Sequence, residues 1–425
     1  MTPLLRLTTR TFQSLRVRNY RWYFFAQIIS MSGTWMQSVA QGWLVLKITD
    51  SGVALGVTAA LQFLPVLLFG AWGGVIADRF DKRKTLVATQ VAFAILAVAL
   101  GGLESAGIVR LWMVYVLSLL FGFVSVIDIP VRQSFVVEMV GPQDLSNAVG
   151  LNSAIFTSAR VIGPAIAGIL ISTVGIAICF YVNGASYAAV IVGLMAMDAT
   201  KLSKRPRVSR APGQVREGFR YIWSNPKLRH TLMMLAIIGT FSFNFSVLLP
   251  LLAKFVFHGG AGLLATMTSV MGAGALIGAL TTAARNRPTR KMLHGSAAIM
   301  GVALLLAGIA PTLGLELVLL AVMGGASIAF VSTANSTLQL TSEDAMRGRV
   351  MAMYSVVIVG SSPLGGPLLG WIAEHLGPRA GLQAGGIAAL VAVLLSWILV
   401  ARSRREPQHA RAFSDQVSAE PAVLP

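Results

Sequence analysis

Three charged residues lie inside runs that are otherwise almost wholly apolar: Asp128 and Arg132 in residues 110–134, and Arg160 in residues 148–172. A charge held in hydrocarbon costs at least ~2.5 kcal/mol unless it is paired or solvated, so each of the three calls for a partner, a proton or a ligand. Asp128 and Arg132 are four residues apart and share one face of a helix. Two roles follow for Asp128. It is either a carboxyl that takes up and releases a proton, or a relay tying the end of its helix to Arg79 or Arg83 in a neighbouring loop; its place near the helix end favours the relay. Arg160 is either the counter-ion of Asp128 or the group that holds an anionic part of a cargo.

Uncharged polar residues form a second pattern. Gln27, Ser30, Thr34, Gln37 and Gln41 recur every three or four residues within 21–46, with Met31 and Trp35 beside them. In lipid such a stripe must turn toward protein or water. Asn244 (near Thr240 and Phe243) and Asn335 (near Ser332, Ser336 and Gln339) extend the pattern to later runs. Gln27, Thr34, Gln37, Gln41, Asn244 and Asn335 are therefore candidates for the lining of a cargo cavity, although hydrogen bonds between helices would also satisfy them. Their mixture with Trp, Phe and Met suits an amphipathic molecule better than a sugar or an ion.

The elements that hold these residues follow from composition. Of 425 residues 55% are hydrophobic and only 12% charged, about half the charge of an ordinary soluble domain. With a mean hydropathy of +0.73, too few polar side chains exist to cover a water-facing surface. Twelve apolar runs long enough to span a bilayer lie between 21–46 at one end and 378–401 at the other. The formal charge of +18 tests that count, because basic residues collect in cytoplasmic loops. With the N-terminus inside, 28 of the 34 Lys and Arg fall on the inner side in strict alternation. The sequence thus predicts an all-α membrane protein of twelve transmembrane helices, N-in and C-in, and explains the basic excess without nucleic acid.

Residues 198–228 are basic and contain Pro206, Pro212 and Pro226. They read as a cytoplasmic linker between an N-terminal six-helix bundle (1–197) and a C-terminal one (229–401), followed by a disordered cytoplasmic tail (402–425). Val215, Phe219, Ile222 and Trp223 within the linker predict a short amphipathic helix at the membrane surface. Glycine pairs recur at offsets of 202 to 204, as with Gly70 and Gly274 or Gly168 and Gly370, which suggests a duplicated unit with a central cleft at mid-membrane. No phosphate-binding G-x-x-x-x-G-K-[ST] loop, H-E-x-x-H or G-x-S-x-G occurs. The five histidines lack metal-ligand spacing, and Cys179 stands alone. No enzyme, metal or cofactor is expected.

The loop at Gly74-Val75-Ile76-Ala77-Asp78-Arg79-Phe80-Asp81-Lys82-Arg83-Lys84 resembles the first-loop signature of the major facilitator superfamily, with Asp81 where that pattern has glycine. Gly163-Pro164-Ala165-Ile166-Ala167-Gly168 resembles the motif of its antiporters, with Ala167 replacing the first of two paired glycines. Gly33 to Gln37, Asp128 to Gln133, Asp144 to Ala148, Glu217 to Tyr221 and Arg347-Gly348-Arg349-Val350 are similar to the branch of siderophore and macrolide exporters. The resemblance implies the major facilitator fold and a central site worked by alternating access, usually driven by protons. It implies that Gly74, Asp78, Arg79, Lys82 and Arg83 form a gate latch. Asp78 would meet the start of the eleventh span near Arg347 and Arg349, making contacts that a carboxylate can form with a helix N-terminus or arginine and later release. Gly163, Pro164 and Gly168 predict a kinked, tightly packed helix that seals against leakage. The expected protein is a monomer of the bacterial cytoplasmic membrane exporting a siderophore or drug-like molecule against protons. An importer or facilitator on the same fold, and a receptor or scaffold that moves nothing, remain alternatives.

Overall fold

A computed structural model of the chain describes residues 12–202, 214–285 and 288–418. These residues are helical with short connections. The first helices are α1 (Arg18–Thr49), α2 (Gly52–Arg79) and α3 (Lys82–Ser105). Then come α4 (Leu111–Gly141), α5 (Gln143–Thr173) and α6 (Ala177–Met195). A short helix, α7 (Gln214–Ser224), leads into the second set. That set is α8 (Pro226–Val256), α9 (Ala261–Ala283), α10 (Arg290–Ala307), α11 (Leu313–Thr341), α12 (Asp344–Leu376) and α13 (Pro378–Ser418).

Among the described residues eleven helices are long and apolar enough to cross a membrane. α1 has the length but not the hydropathy, because Gln27, Ser30, Ser32, Thr34, Gln37 and Gln41 dilute it. Local chemistry sets the boundaries. Ser51, Asp81, Thr289 and Thr312 cap the starts of α2, α3, α10 and α11, each accepting from a backbone N–H inside its helix. Asn225 does the same before Pro226, whose missing N–H costs nothing at a helix start. α4 and α5 are joined at one residue, Gly141, whose φ of 71° and ψ of 178° only glycine adopts freely. Helical backbone persists through Gly163 and Pro164 in α5, and α13 continues to Ser418.

Close packing of glycine positions governs how the helices meet. α5 lies on α1 at Gly163, where a Cβ would stand 2.5 Å from Ser32 O. Gly274 and Gly278 seat α9 against the α11 backbone at Ala321 and Gly325. The first and second sets meet along α2 and α12, and along α5 and α9. The α2–α12 contact runs from Gly52 against Gly370 to Leu67 against Gly360. The α5–α9 contact runs from Gly168 against Ala265 to Arg160 against Gly272. Past those points Trp72, Val356, Phe156 and Ile277 are exposed. The sets are joined at the end carrying Asp50 and Glu374.

α7 is amphipathic as its sequence predicts: Ile222 is buried while Phe219 and Trp223 stack on each other at the surface. The Val215 side chain lies outside the described residues.

Candidate functional site

Asp128 and Arg132 form the most densely bonded polar cluster in α1–α6. Arg132 donates to Asp128 Oδ2 through Nε at 2.9 Å and Nη2 at 2.7 Å. Thr89 and Gln90 donate to the other oxygen at 2.7 and 2.8 Å. Arg132 also donates to Gln27 Oε1. A paired charge with filled acceptors is how a low-dielectric interior tolerates ions, and here the pair ties α4 to α3 and α1. Arg160 takes no part in it, so the counter-ion role foreseen for Arg160 belongs to Arg132. Arg83 does not reach Asp128 either. It donates to Leu194 O and Met195 O at 2.7 and 2.9 Å, covering the last carbonyls of α6. Lys82 pairs with Glu138 on α4, and Arg79 is exposed.

Arg160 instead lines a cavity of about 250 Å³ between the two sets, together with Trp35, Gln41, Phe243, Phe245 and Met271. Its guanidinium stands 5.0 Å above the Trp35 ring, a cation–π contact, and Trp35 meets Phe156 edge-on. No carboxylate pairs with Arg160 among the described residues. The α8 helix is interrupted at Phe243 and Asn244 and ends in one wide turn over Leu252–Val256. Interrupted helices are a recurring way to place polar backbone beside a cargo at mid-membrane.

Of the predicted cavity residues, Gln41 lines this space, though its amide also donates to Ser118 at 2.8 Å. The others are used elsewhere. Gln27 accepts from Arg132, Gln37 accepts from Asn183 at 2.6 Å, and Thr34 donates to Ser30 O at 2.9 Å. Asn244 is buried and donates to Thr240 O at 2.6 Å; Asn335 accepts from Gln339. Gln27 and Gln37 spend their polarity between helices, and Thr34, Asn244 and Asn335 bond one turn away within their own helices.

The motif residues divide between packing and docking. Gly163 packs on α1 and Gly168 on α9, with Pro164 buried between them, so this stretch is tightly packed on both sides. Gly74 is buried in α2; the Asp78 side chain lies outside the described residues. Arg347 pairs with Asp344 in its own helix, and Arg349 pairs with Glu217 of α7 at 2.7 Å. The Glu343 N–H donates to Tyr221 at 3.2 Å, and Gly218 lies flush on Arg349. Two sequence motifs thus form one joint between α7 and the start of α12. The leading turn, Gln13–Arg16, makes a matching joint with the start of α5: Ser14 bonds Asn147 and Asp144, and Tyr20 donates to Ala148 O.

Two carboxylates escaped the sequence reading. Glu374, in the last turn of α12, crosses to the start of α2, accepting from Ser51 Oγ at 2.6 Å and from the Val53 N–H at 2.9 Å. Beside it Lys254 pairs with Asp50. Glu316, in the first turn of α11, is fully buried and neither oxygen has a partner among the described residues. A carboxylate opposing its own helix dipole marks Glu374; nothing local distinguishes Glu316 from a solvated helix start.

A profile of the transmembrane secretion effector family matches residues 9–421. The chain belongs to this family. The chain is 26% identical over 393 residues to the multidrug efflux pump Tap of Mycobacterium tuberculosis, covering 89% of this chain and 91% of that one. It is 26% identical over 409 residues to the enterobactin exporter EntS of Escherichia coli, covering 94% and 95%. A 24% identical match to the staphyloferrin A transporter of Staphylococcus aureus spans 59% of this chain and 64%, less than two thirds, of that protein. Its fold is that of a bacterial homologue of the lysosomal transporter Spinster, solved inward-facing and occupied: TM-score 0.72 at 14% identity, covering 91% and 97%. These relatives are membrane transporters and not enzymes. With eleven apolar helices among the described residues, the chain is a multi-pass protein of the bacterial cytoplasmic membrane.

Proposed function

We propose that this protein exports a small, anionic, amphipathic molecule, moving two six-helix halves (1–197 and 229–401) around the Arg160 cavity in exchange for protons. α1 is the twelfth span, its polar residues turned into the protein, and both chain ends lie in the cytoplasm with the linker 198–228. In that orientation the joined end faces outward and this conformation is inward-facing. The protein works as a monomer in the bilayer.

Arg160 carries the reading. A guanidinium in a low-dielectric cavity, without a carboxylate partner and floored by tryptophan, is stabilised when the cargo brings the negative charge. The aromatic residues around it supply area for an apolar or aromatic body. A catecholate or carboxylate siderophore has both parts, and two relatives are named for siderophores. Everted vesicles test this. Arg160→Gln should weaken uptake of an anionic siderophore about ten- to a hundredfold, the worth of a charged hydrogen bond, and spare a neutral dye. Equal retention of both cargoes would reject the assignment.

Proton exchange needs a carboxyl free to change state. Asp128 is engaged on both oxygens and Glu316 on neither, so a proton arriving at Asp128 must displace a donor while one at Glu316 displaces nothing. Glu316→Gln should abolish the response of efflux to an imposed pH gradient while Asp128→Asn keeps it. The opposite pattern would return the coupling role to Asp128.

A further inference from the structure

In the second set of helices, α9 and α10 each pack along α11 but scarcely touch one another. Gly274 and Gly278 bring α9 onto the α11 backbone, and on the other side Ser327 of α11 donates to the Met300 sulfur of α10 at 3.4 Å. Two helices held by a third and not by each other leave a groove, here of about 920 Å³. Its floor is α11 at Gly325, Ala326 and Ala329, residues too small to fill it. Gly295 of α10 keeps it open from the side, since a Cβ there would meet nothing within 4 Å.

The groove has two chemically different parts. Ile277 of α9 and Ile299 of α10 line it and are 63% and 54% exposed; Leu280 and Val302 on the same two helices are exposed as well. In a membrane-spanning chain such an apolar opening meets hydrocarbon. At one end stand Arg285, just past α9, and Lys291, in the first turn of α10. Among the described residues neither cation is in an ion pair, and no carboxylate lines the groove. Lys291 also sits at a helix start, where the dipole opposes a cation and no acidic side chain offsets it. From Gly274 to Arg285 the groove follows α9 for about 16 Å at 1.5 Å per residue, close to the depth of one leaflet of a ~30 Å hydrocarbon core.

We infer that the groove holds one anionic glycerophospholipid, its phosphate between Arg285 and Lys291 and an acyl chain along Ile277, Gly325 and Ile299. Basic pockets between membrane helices favour negative headgroups, and a phospholipid joins that charge to an apolar chain of leaflet depth, where a free anion would leave the apolar length empty. In the orientation proposed above the lipid belongs to the inner leaflet. It bridges α9 and α10, and its groove shares no lining residue with the Arg160 cavity.

Native mass spectrometry of the purified full chain tests this, with phosphatidylglycerol or phosphatidylcholine supplied at equal mole fraction in detergent. Wild type is expected to retain one phosphatidylglycerol at a mole fraction at least about tenfold below that needed for phosphatidylcholine. Arg285→Gln/Lys291→Gln should remove the preference by losing the headgroup contacts, and Gly295→Leu should remove retention by filling the groove with both charges intact. Arg18→Gln/Arg21→Gln, which takes away two exposed cations elsewhere, should retain the lipid as wild type does. Unfolding midpoints in lipid-free detergent identify the variants that fold, and phosphatidylglycerol retained at the wild-type level by a folded groove variant overturns the site. Equal retention of the two lipids by wild type reduces the groove to ordinary boundary lipid, a lipid-free dimer gives it to a second copy of the chain, and an equal loss in the Arg18/Arg21 control makes overall charge the cause. Each of these overturns the proposal as well.

Discussion

Arg132→Met is expected to destabilise the folded chain by about 3–5 kcal/mol, the range for stripping one partner from a buried ion pair. The Arg132 and Asp128 side chains are 14% and 6% exposed, so solvent cannot take over the abandoned charge. Asp128 would keep Thr89 and Gln90 but lose both charged donors, and Gln27 would lose the donor that ties α1 to α4. The double variant Asp128→Leu/Arg132→Met should recover most of the loss, because two apolar side chains replace two desolvated ions. Unfolding midpoints in detergent would then rank single variant, double variant, wild type in ascending order. An Arg132→Met midpoint equal to wild type would show that the pair does not tie these helices together.

The outcome also bears on what a sequence can reveal. Asp128 and Arg132 are legible as a pair because a spacing of four is a helix-face neighbour. Their further partners Thr89, Gln90 and Gln27 are not, since no local rule says which helix packs on α4. The apolar runs are legible because hydropathy accumulates over some twenty consecutive residues. For the same reason α1, whose polar stripe dilutes that signal, is the helix where composition and packing disagree. The stripe announces that α1 must face protein but not which protein; Asn183, Ser118 and Arg132 answer before the cavity does. Arg160 stands out in sequence as a charge with no reason, and only the fold separates it from Asp128 and sets it over Trp35. Glu374 acts on a helix start more than three hundred residues earlier in the chain, beyond the reach of any spacing argument.

The joined end supplies the second large effect: Gly56→Val is expected to hold it open. A Cβ on Gly56 would stand 2.2 Å from Gly366 O and 2.7 Å from Pro367 Cα, and one turn away a Cβ on Gly52 would stand 2.6 Å from Gly370 O. These clashes are with backbone, which cannot rotate aside, so the side chain fits only if α2 and α12 move apart. Packing inside each set is untouched, because α2 meets α4 through Gly122 against Gln62 and Pro65 on another face. The bonds from Glu374 and Lys254 are solvent-exposed and contribute at most about 1 kcal/mol each, too little to force the end shut against backbone overlap. Spin labels at Ile48→Cys and Leu376→Cys, both exposed sites, in a Cys179→Ser background would report the separation. The distance distribution should lengthen in Gly56→Val and transport should fall by at least about an order of magnitude, as a shift of ~1.4 kcal/mol or more in the two-state balance requires. Gly70→Val is the control, since its Cβ would meet only Val66 of its own helix at 3.9 Å, and it should leave the distances unchanged. Identical distributions in Gly56→Val and wild type would mean that this backbone contact does not decide which end of the transporter is closed.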